Sequence, residues 1–270
     1  MELGIIAAPN EEGFKLASKK GLDFVEFCIN ASKSDDKTDK SNLFDFCSNV
    51  KKIKKWSNEY GVKVGSVGRW GAGRISKDGS IDQDEMKASF LLMEAAAELG
   101  SKVFVCGCNE VSTLSYYENC SVAIKVFEAL IQHAESVGIS VAAYNCRGNN
   151  FVCNPVAWKI ILGHINKLGI KYDPSHSIYD GGDYLAEMAD WGDRFMHVHI
   201  KGSLRINGKR FDDPPAGFDE TNWGAFMSVL YAKGYNAGLS IEPHSKVWVG
   251  ELGDKGLDYT IEYFRKLILI

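Results

Sequence analysis

Lys20-Gly21-Leu22-Asp23-Phe24-Val25-Glu26 joins the end of a helical segment to the start of a strand, and the same join recurs along the chain. Tyr60-Gly61-Val62, Leu99-Gly100-Ser101, Val137-Gly138-Ile139, Leu168-Gly169-Ile170 and Lys233-Gly234-Tyr235 repeat it. A glycine just past a helix takes the left-handed conformation that turns the chain back, so each join marks a helix-to-strand turn. Working outward from these joins, short β-branched or aromatic runs alternate with longer segments of helical period. That alternation is the mark of a parallel sheet covered by helices.

The strands are expected at Leu3 to Ala8, Phe24 to Ile29, Lys63 to Val67, Lys102 to Cys106, Ser140 to Tyr144, Ile170 to Asp173, Phe195 to Ile200 and Ala237 to Glu242. Helices fall near 11–19, 41–60, 83–99, 114–137, 155–166, 182–191, 221–233 and 255–268. Eight such units predict a single (β/α)₈ barrel over residues 1–270, with its site at the strand ends opposite the glycine turns. The long polar loops fall on that rim. They are Asn30 to Lys40, the segment Gly68-Arg69-Trp70-Gly71-Ala72-Gly73-Arg74, and Lys201 to Glu220.

The 270 residues carry a formal charge of −4, with lysines scattered among acids, which disfavours a nucleic-acid partner. Met1-Glu2-Leu3-Gly4 lacks the basic start of a signal peptide, and no apolar run reaches the length of a membrane span. A soluble cytoplasmic protein is the expectation, with a homo-oligomer left open. The seven cysteines are odd in number and widely spaced, and read as mostly buried thiols. Cys106-Gly107-Cys108 has no second pair to complete a zinc site.

Three strand tops are polar: Tyr172-Asp173-Pro174-Ser175-His176, His197-Val198-His199-Ile200-Lys201 and Ser240-Ile241-Glu242-Pro243-His244. Alternate side chains of a strand share a face, so His197 and His199 point the same way and one suffices as a ligand. Asp173, His199 and Glu242 together offer two carboxylates and an imidazole, a set suited to Mn²⁺, Mg²⁺, Co²⁺ or Zn²⁺. Taken singly, each is equally a satisfied polar group at a strand end. Trp70, Tyr179, Trp223 and Trp248 read as core or as sugar platforms.

The run Ile170-Lys171-Tyr172-Asp173-Pro174-Ser175-His176 after Gly169 resembles the Asp-x-x-His motif of xylose-isomerase-like barrels. Met196 to Lys201 is similar to that family's His-x-Lys segment. Pro214 to Gly217, Asn222-Trp223 and Gly234 to Glu242 resemble its last unit, and Gly21 to Glu26 also matches. The resemblance covers the whole chain and is most specific in the C-terminal half. It implies a divalent metal on Asp173, His199 and Glu242, with Glu242 also an acid/base group and a carbohydrate as substrate. It further implies substrate contacts at His176, Lys201 and Asn145, with His176 close to the chemistry, and at Arg205 near the substrate oxygens.

The family's strand-five glutamate is absent: Ser140-Val141-Ala142-Ala143-Tyr144-Asn145-Cys146-Arg147 holds no acid, and none occurs between Glu135 and Asp173. The vacated position falls at Tyr144 or at Ala142. Tyr144 would then serve as second acid/base group or oxyanion donor, and the metal, one ligand short, would be held weakly. Three functions stay open: a sugar, polyol or keto-sugar isomerase or epimerase; a metal-dependent sugar or inositol lyase or dehydratase; and a barrel that only binds carbohydrate.

Overall fold

The computed structural model describes residues 1–31 and 40–269, so residues 32–39 of the polar loop after the second strand lie outside the described residues. The barrel strands are β1 (Glu2–Ala7), β2 (Phe24–Cys28), β3 (Lys63–Arg69), β4 (Val103–Cys106), β5 (Ser140–Tyr144), β6 (Gly169–Tyr172) and β7 (Phe195–Ile200). After a hairpin of β8 (Leu204–Ile206) and β9 (Lys209–Asp212), β10 (Gly238–Ile241) closes the ring. The order round the barrel is β1-β10-β7-β6-β5-β4-β3-β2, and all eight pairings are parallel. This is the (β/α)₈ barrel that the alternation predicts, and β3 lies across it from β7.

The helices are α1 (Glu11–Lys19), α2 (Ser41–Ser48), α3 (Val50–Tyr60), α4 (Gln83–Glu98), α5 (Tyr116–Val137) and α6 (Pro155–His164). They continue with α7 (Pro174–Tyr179), α8 (Tyr184–Trp191), α9 (Trp223–Ala232) and α10 (Gly250–Leu267). Segment 41–60 is two helices rather than one, broken at Asn49, whose side-chain amide binds the Asp45 backbone oxygen. The main core lies between strands and helices, where Phe14, Phe27, Leu92, Phe127, Trp158 and Phe264 are fully buried. Among the described residues no helix is long and apolar enough to cross a membrane. All seven cysteines are free, and Cys106 and Cys108 are both buried.

The barrel interior is layered. At the floor the Phe24 ring fills the axis, so close to Gly4, Gly65 and Gly238 that a Cβ on any of them would come within 2.4, 2.4 or 2.8 Å of the ring. Only glycine leaves room for that plug. Because the period of a strand is two, the next inward residue on β2 is Glu26, which stands above the plug with no exposed surface. An apolar floor therefore carries a polar middle layer, and the candidate site rests on it.

Candidate metal centre

Asp173 directly follows β6 and caps α7, accepting a hydrogen bond from the Ser175 backbone N–H at 2.9 Å through Oδ1. Pro174 at the first helical position needs no partner for a missing N–H, so the chain turns sharply with the Asp173 side chain left at the mouth. Its other oxygen, Oδ2, is buried and has no hydrogen-bond partner. His199 comes from β7, and Glu242 directly follows β10. One ligand atom from each of Asp173, His199 and Glu242 lies within 4.8 Å of the others.

Sequence reasoning did not assign a role to Glu26. Its carboxylate accepts from His197 Nε2 at 2.8 Å and from His199 Nε2 at 2.9 Å. Glu26, His197 and His199 form a second group of donors within 4.8 Å, beneath the first. The two imidazoles behave differently. Burial lowers the His197 pKa more than Glu26 raises it, so that ring is neutral. Burial also opposes charge on His199, but Glu26 and Glu242 outweigh it and the pKa is raised. His199 Nδ1 sits 2.8 Å from Glu242 Oε2, so the ring donates to a carboxylate on each side. With Nε2–H held by Glu26, Nδ1 is the nitrogen a metal would take, displacing a proton.

The donor set fits a divalent cation. Asp173 offers an orphaned buried oxygen, Glu242 a carboxylate and His199 an imidazole with its far nitrogen anchored by an acid, the arrangement metal-binding histidines favour. Both carboxyls are held ionised. Burial raises the Glu242 pKa, but the His199 hydrogen bond and the Lys201 ammonium bring it down to about 2. For Asp173 burial is likewise overcome, chiefly by Lys201, His176 and Lys171, and the pKa falls far below the usual carboxylate range.

The remaining predicted residues separate. His176 and Lys201 join the group, with His176 Nε2 3.4 Å and Lys201 Nζ 3.4 Å from Asp173 Oδ2, and Lys201 Nζ also 3.8 Å from Glu242 Oε1. Burial, with help from the two lysines, takes the His176 pKa down to about 4 despite Asp173, so its ring is neutral near pH 7. Trp70 lines the same cavity.

Asn145 is buried and does not line the cavity. Its side chain spends both ends on the Asp173 backbone, donating to the carbonyl at 2.8 Å and accepting from the N–H at 2.9 Å. Arg205 turns away to Glu220 and the Ile178 carbonyl. Arg210, its partner across the hairpin, lines the cavity instead. Tyr144 reaches the barrel interior without touching the three donors. Its ring stacks on Trp70 with centroids 5.5 Å apart, and its hydroxyl receives the Gly71 N–H and donates to the Gly148 carbonyl. Burial raises its pKa strongly, so the hydroxyl keeps its proton.

Lys171 and His244 were also passed over, although both line the cavity. The signal for Lys171 was present, since it lies two positions before Asp173 on the same face; for Glu26 the signal is only that a lone charge in an apolar strand faces the interior where it has a partner.

The family model of the xylose isomerase-like TIM barrel matches residues 14–267. The chain belongs to that family. Among solved structures, the apo 3-keto-D-glucoside 4-epimerase YcjR of E. coli is 17% identical and superposes with a TM-score of 0.75, covering 98% of this chain and 99% of that one. A D-allulose 3-epimerase from Methylomonas sp. is 16% identical with a TM-score of 0.77, covering 99% and 98%. At these identities the likeness is one of fold. The uncharacterized protein YfiH of Bacillus subtilis (strain 168) is 27% identical over 159 residues, which spans 51% of this chain and 50% of that relative.

Proposed function

We propose that this barrel is a metal-dependent isomerase or epimerase of sugars or keto-sugars, moving a proton on a carbon beside a carbonyl. The observation that carries the proposal is the meeting of Asp173, His199 and Glu242 at the C-terminal mouth, with a buried carboxylate oxygen that no hydrogen bond satisfies. These three residues would hold Mn²⁺, Mg²⁺, Co²⁺ or Zn²⁺. Such an ion, when bound, polarises a carbonyl oxygen and stabilises the negative charge that develops on it.

Glu242 is the proton acceptor in this scheme. It is ionised, lines the cavity and keeps 21% of its side chain exposed, while Asp173 is fully enclosed. Neutral His176 and cationic Lys201 flank it and are suited to substrate oxygens. The Trp70 ring, backed by the buried Tyr144 ring stacked on it, offers a flat apolar wall for the C–H face of a sugar, entering from the loop after β3, opposite β7. The sugar specificities named for the two epimerases of the same fold support a carbohydrate substrate. The free thiols agree with a cytoplasmic setting.

One observation favours a second reading. Glu242 is the sole acidic side chain among the described residues lining the cavity, and Tyr144 does not line it. Elimination from a keto-sugar needs one base and a stabilised enolate, so a lyase or dehydratase is the alternative. Incubation with Mn²⁺ and a panel of ketohexoses and keto-glycosides in D₂O distinguishes them by mass spectrometry. Isomerisation or epimerisation leaves a product of unchanged formula with deuterium on carbon, whereas elimination loses water. Absence of any exchange across the panel, with metal bound, would count against both.

A further inference from the structure

Lys171 and Lys201 are buried ammonium groups whose charge partners coincide with the candidate metal ligands. Lys171 is 1% exposed and Lys201 4%. Among the described residues, Lys171 Nζ has one ion-pair partner, Asp173 Oδ2 at 4.0 Å, and Lys201 Nζ has two, Asp173 Oδ2 at 3.4 Å and Glu242 Oε1 at 3.8 Å. The neighbouring carboxylates are already committed. Glu26 holds His197 and His199, and Asp213 holds Tyr179, Arg210 and His244.

A divalent ion on Asp173 and Glu242 therefore sets two enclosed lysines beside a dication that draws on the same carboxylates. Buried charge of one sign without a counter-charge is strongly disfavoured. Further positive charge waits at the rim, where Arg210 faces the same cavity. Hydroxyl oxygens of a neutral sugar can accept hydrogen bonds from these groups but bring no charge.

Resting on the metal reading of Asp173, His199 and Glu242, we infer that the substrate is an anionic sugar whose carboxylate or phosphate oxygens replace those carboxylates as the partners of Lys171 and Lys201. The lysines project from neighbouring strands into the cavity that holds Glu242, and Lys171 pairs in register with His197, two residues before His199. The anion is thus expected near the metal, not at the far edge of the pocket.

Calorimetry on the full chain, first with Mn²⁺ and then on the Mn²⁺-loaded protein with D-glucuronate, D-glucose 6-phosphate and D-glucose, tests this. At least one of the anions is expected to bind ten times more tightly than glucose or better, and which one does so separates a carboxylate from a phosphate. Lys171→Gln is expected to retain or strengthen Mn²⁺ binding, since a competing cation is removed, and to lose most of the preference for the anion. Anions that bind no more tightly than glucose, including the case where neither binds, overturn the inference while leaving the metal reading in place, as does an unchanged preference in Lys171→Gln. Failure of the parent protein to bind Mn²⁺ overturns both. The ligand comparison on the parent protein decides the matter even if the variant does not fold.

Discussion

The two sides of the barrel mouth use their inward positions differently. Along β6, β7 and β10 the inward side includes Lys171, Asp173, His197, His199, Lys201 and Glu242, each tied to another of them or to Glu26, with the buried Ser240 level with His199. Across the barrel, β3, β4 and β5 present Gly68, Gly107 and Tyr144, with Trp70 folded back so tightly that a Cβ on Gly68 would lie 1.9 Å from its ring. The charges that do occur there are turned outward and sealed: Arg69 is bidentate on Glu85, and Arg74 binds the Gly107 carbonyl and Ser89. One side can hold a cation and move a proton, while the other can shape a pocket. The strand that lacks the family's glutamate thus belongs to a wall of aromatic rings packed on glycines.

The sharpest break in that comparison is a ligand removed from the charged side. Asp173→Ala is expected to weaken Mn²⁺ binding by more than the roughly 10- to 100-fold typical of losing a supporting residue, read by calorimetry. Trp70→Ala on the opposite wall is expected to leave Mn²⁺ affinity unchanged and to raise KM. A fall in metal affinity in Trp70→Ala would show that the two sides are not separate.

Glu26→Gln is the next largest. The amide no longer matches two imidazole N–H donors, and His199 loses the acid that fixes its tautomer, so Mn²⁺ affinity is expected to fall by about 10- to 100-fold. The variant keeps the side-chain volume beneath the site. Unchanged affinity would mean that His199 is oriented by Glu242 and packing alone.

The contrast between the two sides also explains what could be read from the chain. The barrel strands were legible to within about two residues at each end because parallel strands enclosed by helices are short apolar runs bounded by glycine turns. Asp173, His199 and Glu242 were legible because they end strands. Glu26 and Lys171 were harder, since their partners are distant in sequence: His197 lies 171 positions from Glu26. The hairpin was missed although Asn207-Gly208, with both residues at positive φ, is a strong two-residue turn signal. Without the hairpin, Arg205 could not be seen to point away while Arg210 faces the cavity. Tyr144 was placed by alignment in the right strand, but nothing in its neighbours revealed that Gly71 would claim its hydroxyl.

Tyr144→Phe sharpens the comparison on the aromatic side. It removes a hydroxyl that serves Gly71 and Gly148, while the ring stack on Trp70 remains. A cost of about 1 kcal/mol in urea unfolding is expected, the usual worth of such a bond, with kcat within a few-fold of the parent. A loss of activity by orders of magnitude at unchanged stability would restore Tyr144 as a participant in the chemistry.

The smallest effect belongs to the rim, where the charged side meets solvent. Asp213 is enclosed and accepts from Tyr179, His244 and Arg210, linking the loops after β6 and β10 to the hairpin that follows β7. Burial works to raise its pKa, but the bonds from His244 and Tyr179, with Lys201 and Arg210 nearby, lower it below its ordinary value. A carboxyl with a lowered folded pKa contributes stability that is complete above its unfolded pKa, near 4, and is lost as pH falls through the folded value. Because Arg210 and His244 are about half exposed, their bonds are screened, and Asp213→Asn is expected to cost about 0.5–1 kcal/mol at pH 7. Urea unfolding of parent and variant at pH 7, 5, 4 and 3 should show that difference constant down to about pH 5 and shrinking below it. A difference that grows on acidification would mean that Asp213 is protonated more readily in the folded protein than in the unfolded chain, and that desolvation, not the three donors, governs the rim.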